Sequence, residues 1–222
     1  MWLRSFIKDN LYFLYPYTAC VFAGAFFLYL YTKDVLLLTI NSRFSPYGDL
    51  FFKWFTHVGD GNTCLILTGL LLLFVSKEKG LVLGICYAVT NIPVQLVKNY
   101  AFAENYRPKS YFWEDYHRLH FTEGVEILVS NSFPSGHTAT AFSMFLVLSY
   151  WMKNKITSLF FFVMAFLVGY SRMYLALHFF ADVYAGALFA VIVTTFTIYY
   201  LNEHLKLQDK IGLQKGFFSG LK

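Results

Sequence analysis

Three short stretches carry the side chains that could do chemistry. "PSGH" (Pro134–His137) sets a serine, a glycine and a histidine directly before an apolar run. "SRMYLALHFFAD" (Ser171–Asp182) reads as S-R-x5-H-x3-D, and "KNYAFAENYRP" (Lys98–Pro108) as K-x8-R-P. His178 and Asp182 are four apart, so on a helix they share one face. A carboxylate on one imidazole nitrogen fixes the tautomer and leaves the other nitrogen free to attack phosphorus. His178 is therefore the expected nucleophile and Asp182 its orienter. His137 is left to protonate a departing oxygen and then to activate water. Arg107 and Arg172 supply guanidinium forks that fit phosphate oxygens, and Lys98 adds a point charge. Ser135 and Gly136 stand at a helix N-terminus, where unpaired N–H groups and the helix dipole favour an anion. Glycine there lets the backbone approach the oxygens. Cations on the oxygens, an in-line nucleophile and an acid for the leaving group are what phosphoryl transfer asks for. No cluster of oxygen ligands calls for a divalent metal, and no cofactor is expected.

The elements that must position these groups are membrane helices. The 222 residues are 57% hydrophobic and 14% charged, against about a quarter charged in soluble domains. An aromatic share of 21% suits a protein with much surface at the membrane interface. The expected fold is all-α: one polytopic membrane domain over residues 1–222, a six-helix bundle. The apolar runs are Leu11–Tyr31, Thr63–Val75 (extended upstream), Gly80–Val97, Thr138–Met152, Ile156–Tyr170 and Ala181–Leu201. Arg4 and Lys8 before the first run raise the question of a signal peptide. The run continues through "FFLYLY", so an uncleaved span is expected. The loops 76–80 and 152–155, with both termini, collect ten Lys/Arg, from Arg4 to Lys222, at a net charge of +6; the other side nets −1. By the positive-inside rule the first side is cytoplasmic. That arrangement sends Lys98, Ser135, Gly136, His137, Arg172, His178 and Asp182 to one outer, periplasmic level. The formal charge of +5 is then an orientation signal, and no nucleic-acid partner is implied.

The three motifs together resemble the type 2 phosphatidic acid phosphatase superfamily, over about residues 90–190. "PSGH" and S-R-x5-H-x3-D match the family closely. The first motif departs, with eight residues between Lys98 and Arg107, where the family usually has six. The resemblance implies a lipid phosphate phosphatase of the bacterial inner-membrane branch, working through a phosphohistidine. It assigns the same roles to His178, His137 and Asp182. The implied substrates are phospholipid, polyprenyl or saccharolipid phosphates: phosphatidic acid, phosphatidylglycerophosphate, undecaprenyl diphosphate or lipid A. A phosphotransferase with an alcohol as acceptor, or a non-catalytic anionic-lipid binder or transporter, are the competing readings. The motifs do not choose the lipid, and they say nothing of oligomeric state.

The remaining polar residues have plainer readings. Ser171 either holds a phosphate oxygen or caps the helix end. His117 and His120 in "YHRLH" read as surface residues of a loop, and His57 in "HVGDGNT" as structural, with Asn62 or Thr63 as helix cap. Cys20, Cys64 and Cys86 fall in three apolar runs and read as small core residues. Residues 109–130 must pass beside the pocket. Their aromatics Trp113 and Tyr116 are expected either to set lipid preference or merely to cover the site.

Overall fold

A computed structural model describes residues 2–218 and, of Ile211, the backbone alone. Lys222 of the basic side lies outside the described residues. Ten α-helices are described: α1 Trp2–Asp9, α2 Leu11–Leu30, α3 Lys33–Asn41, α4 Pro46–Phe55, α5 Gly61–Leu70, α6 Lys77–Leu96, α7 Pro108–Tyr111, α8 Gly136–Met152, α9 Lys155–Tyr174 and α10 Phe180–Tyr199. No strand occurs among the described residues. The helix starts are written in the sequence. Ser45, Asp60, Ser76, Ser135 and Asn154 each accept a backbone N–H of the first turn of α4, α5, α6, α8 and α9, satisfying donors that have no intrahelical partner. The α5 cap is thus Asp60, and not Asn62 or Thr63. At the other end of α8, Lys153 turns left-handed (φ 47°) and Asn154 at once caps α9.

Each of the six expected apolar segments is helical, but they are not equivalent. By length and composition Leu11–Leu30, Lys77–Ala101, Lys155–Tyr174 and Phe180–His204 suffice to cross a membrane. A fifth crossing exists if Pro46–Gly59 and Gly61–Val75, bent by 56°, form one span. The sixth segment, α8, has 17 residues and lies at the centre, packed against α6, α9 and α10. Its residues from Thr138 to Val147 are all buried, so protein rather than lipid surrounds it. Hydroxyl groups knit this centre: Thr194 donates to Ser143 at 2.7 Å, and Thr90 lies 3.4 Å from both. Such bonds hold helices together where apolar contact alone gives little preference over lipid. The helix α2 is peripheral, with only Phe13, Tyr17 and Gly24 buried. Cys20 is accordingly exposed, against expectation, while Cys64 and Cys86 are core residues.

Two glycines let elements close on the site. A Cβ at Gly186 of α10 would meet the Ser135 carbonyl oxygen at 2.6 Å, and one at Gly59 the His137 carbonyl at 2.8 Å. Both distances are too short for any side chain, so the "PSGH" turn is clamped by backbone from two sides. The clamp on the α10 side is completed by the Ser135 N–H, which donates to the Asp182 carbonyl at 3.0 Å.

Candidate active site

The cavity at this clamp has a volume of about 460 Å³. Six of the eight expected site residues line it: Lys98, Arg107, Gly136, His137, Arg172 and His178. They come from α6's continuation Val97–Ala101, the loop before α7, the start of α8, the end of α9 and the turn before α10. The other two, Ser135 and Asp182, are buried and do not line the cavity; they hold the residues that do.

His178 is 1% exposed. The turn that presents it is tight: Ala176 has φ 52°, and the N–H groups of Leu177 and His178 both donate to the Arg172 carbonyl. Its Nδ1 stands 3.3 Å from Asp182 Oδ2. The same oxygen accepts the Phe179 N–H at 2.9 Å and the Ser132 hydroxyl at 2.5 Å. Three groups converge on one oxygen, so the carboxylate cannot turn away from the ring. With Nδ1–H so held, Nε2 carries the lone pair. Burial holds His178 well below the ordinary imidazole value, and Arg107, Arg172 and Lys98 push the same way. The ring is therefore neutral and nucleophilic at neutral pH.

The cations are fixed by backbone and hydroxyl oxygens, with no acidic side chain on either guanidinium. Arg107 donates to the carbonyls of Ser130, Leu177 and Asn131 at 2.8, 3.2 and 3.4 Å. Arg172 donates from Nη1 to Thr56 Oγ1 at 2.7 Å, and among the described residues its buried Nε has no acceptor. Charges held this way keep their attraction for an incoming phosphate. Ser135 accepts the Thr138 N–H (3.5 Å) and hydroxyl (2.9 Å) as the α8 cap. Among the described residues the N–H groups of Gly136 and His137 have no acceptor and are the open donors of the first turn. A Cβ at Gly136 would meet only Gln95 Nε2, at 3.4 Å, so packing does not demand glycine there.

Several neighbours carry no local sequence signal. Asp60 Oδ2 lies 3.9 Å from His137 Nε2, giving the second histidine a carboxylate neighbour too. Thr56 steadies Arg172, and Ser132 steadies Asp182. Ser171 takes neither expected role: it is fully buried off the cavity, its hydroxyl on the Val168 carbonyl (2.6 Å) and 3.1 Å from Thr56 Oγ1. A second lobe of about 350 Å³ shares Asp60, Arg107, His137 and Arg172 and adds Lys53, His57 and Glu126. His57 thus reaches a cavity wall. Trp113 and Tyr116 are exposed and line neither lobe; residues 124–126 and Leu128 do. His120 is stacked on Phe44 and 2.8 Å from Asp49 Oδ2, a structural placement. Among the described residues no three His, Cys, Asp or Glu side chains group as a metal site.

This site lies within a recognisable frame. The Bacillus licheniformis Bacitracin transport permease protein BcrC is 35% identical over 94 residues, 39% of this chain and 45% of that protein. The match therefore spans less than half of that relative's length. The crystal structure of Aquifex aeolicus LpxE superposes with a TM-score of 0.64 at 32% identity, covering 74% of this chain and 93% of that one. The sequence model of the PAP2 superfamily matches residues 79–206, which include all eight expected site residues. The chain belongs to the PAP2 superfamily.

Proposed function

We propose that this protein is a lipid phosphate phosphatase of the cytoplasmic (inner) membrane, one six-span domain with both termini cytoplasmic and its site facing the periplasm. The reaction runs without metal, through a phosphohistidine. The phosphate sits among Lys98, Arg107, Arg172 and the open N–H groups of Gly136 and His137. His178 Nε2 attacks phosphorus; the bond from phosphorus to the lipid oxygen breaks, and His137, which takes up a proton as the negative charge of the bound phosphate offsets the surrounding cations, gives that oxygen its proton. The Nδ1–H stays on the Asp182 carboxylate, which offsets the positive charge growing on the ring. Neutral His137 then takes a proton from water, whose oxygen attacks phosphorus. The P–N bond breaks, phosphate leaves, and both histidines return to their starting states.

The observation that carries this reading is His178: a buried imidazole, tied at Nδ1 to a carboxylate, on a cavity with three cationic side chains. An anion binder gains nothing from a nucleophilic histidine whose tautomer is fixed. The test is phosphate release from a panel of purified lipids, covering phosphatidic acid, phosphatidylglycerophosphate, a polyprenyl diphosphate and lipid A, with His178→Ala as the blank. Release from at least one lipid, absent in the blank, is expected. No release from any lipid or from p-nitrophenyl phosphate would end the reading.

A further inference from the structure

The bend between α4 and α5 is built against the catalytic cavity. Helix α4 ends at Phe55, residues 56–59 make one tight turn, and α5 starts at Gly61, with the chain bent by 56°. Hydrogen bonds within the bend fix its shape: the Asp60 N–H and the Thr63 hydroxyl both donate to the His57 carbonyl, at 3.0 and 2.7 Å. Two of its side chains reach catalytic residues. Thr56 holds Arg172. Asp60 places Oδ2 3.9 Å from His137 Nε2, and the preceding Gly59 lies against the His137 backbone.

Among the described residues, Asp60 is the one acidic side chain lining the lobe that holds Lys98, Arg107, Arg172 and His178. It lines the second lobe as well, whereas Glu126 lines only the second. A carboxylate there repels the phosphate that the cations attract. Capping α5 does not require its charge. The cap uses Oδ1, which accepts the Asn62 N–H at 3.0 Å, and asparagine or serine caps as well as aspartate does. Oδ2 accepts no hydrogen bond among the described residues and faces His137. That histidine shares its two lobes with Arg172 from the end of α9, Lys98 from the continuation of α6, Arg107 from the loop before α7, His178 from the turn before α10 and His57 from the bend itself. Cations disfavour a further positive charge beside them. His137 must nonetheless carry one, first to hand a proton to the leaving oxygen and again after taking one from water.

We propose that Asp60 is a positioning residue for His137: its carboxylate stabilises the imidazolium and so keeps a proton ready for the leaving oxygen. The inference rests on the phosphatase reading and adds a residue to its mechanism. No proton passes to Asp60, because 3.9 Å is too long for a hydrogen bond; charge acts on charge through space. The two side chains are 31% and 33% exposed, so water screens the pair and its effect on rate is about tenfold.

Asp60→Asn keeps the cap and removes the charge. The experiment measures kcat/KM of the full chain in detergent micelles on phenyl phosphate, whose leaving oxygen needs a proton, and on dinitrophenyl phosphate, whose leaving oxygen does not. In the variant the ratio of the first to the second should fall by about fivefold or more. A ratio does not depend on how much of the variant folds. The pH profile of kcat, read on whichever lipid of the panel is hydrolysed fastest, should move to lower pH by about half a unit or more. The sign follows from the charge: without the carboxylate, the imidazolium gives up its proton more readily. A role confined to capping would move neither readout. If wild type hydrolyses no aryl ester, the pH profile alone decides. If Asp60→Asn is inactive on every substrate, Asp60→Ser, which also caps, is read the same way. A smaller fall in the ratio, an unmoved pH profile, or inactivity of both variants on every substrate overturns the role. A wild type inactive on every ester and lipid instead removes the phosphatase reading beneath it.

Discussion

Asp182→Asn separates charge from orientation at the nucleophile. Both hydrogen bonds that fix the carboxylate, from the Phe179 N–H and the Ser132 hydroxyl, end on the oxygen that faces His178 Nδ1. A backbone N–H can only donate, so an asparagine must place its oxygen there and its NH2 on the other side. The Nδ1–H tautomer is kept and only the negative charge is lost. That charge lies 3.3 Å from a ring that becomes cationic as Nε2 attacks. Two unit charges at that separation interact by about 5 kcal/mol at an effective dielectric of about 20, which suits side chains 2% and 7% exposed. About 1.4 kcal/mol is tenfold in rate, so kcat should fall by three to four orders of magnitude, roughly. The assay is kcat on p-nitrophenyl phosphate, with circular dichroism and thermal unfolding to confirm an intact fold. A variant within about tenfold of wild type would show that Asp182 only orients the ring, and the electrostatic part of the mechanism would fall.

Other outcomes follow from the same geometry. Because the site gathers cations and histidines and no carboxylate cluster, phosphate release should survive EDTA and be inhibited by vanadate; loss in chelator with recovery on adding Mg²⁺ would contradict this. Thr56→Val leaves the buried Arg172 Nη1 without an acceptor and should cost about 1.5–3 kcal/mol of folding stability. Thr56→Ser should restore most of it, whereas an equally unstable serine variant would point to lost packing of the methyl group. With the exposed Cys20 first replaced by serine, a cysteine at Glu114 should react with an impermeant thiol reagent in intact cells and one at Asn154 should not. The reverse pattern would put the site in the cytoplasm.

Which residues gather at the cavity was largely legible because several of them are close in sequence. His178 and Asp182 are four positions apart and meet, although His178 lies in the turn before α10 and not on a shared helix face, and Ser135 caps the helix that carries His137. What was not legible depends on long-range approach. Thr56 reaches Arg172 across 116 positions, and Ser132 reaches Asp182 across 50; a lone threonine or serine in a loop carries no sign of its partner. Asp60 carries no sign of its own within "HVGDGNT", and only the fold brings it beside His137. The apolar runs announced six helices but not their roles. Composition cannot tell α8, wrapped by its neighbours, from a lipid-facing span. It also gave no warning of the bend between Gly59 and Gly61. Large aromatics drew attention to Trp113 and Tyr116, yet the cavity wall is built by residues 124–126 and Leu128, whose side chains are less conspicuous.

The central claim is that His178 becomes phosphorylated. Full-length protein would be mixed with 32P-labelled phosphate ester, quenched within milliseconds in alkali, where phosphohistidine survives, and its label mapped by peptide. Wild type should carry label on the peptide containing His178, and His178→Ala should carry none. His137→Ala should still label from an ester whose leaving group needs no proton, and should then lose the label slowly, since water has no base to activate it. Label in the His178 variant, or a wild type labelled elsewhere, would contradict the account.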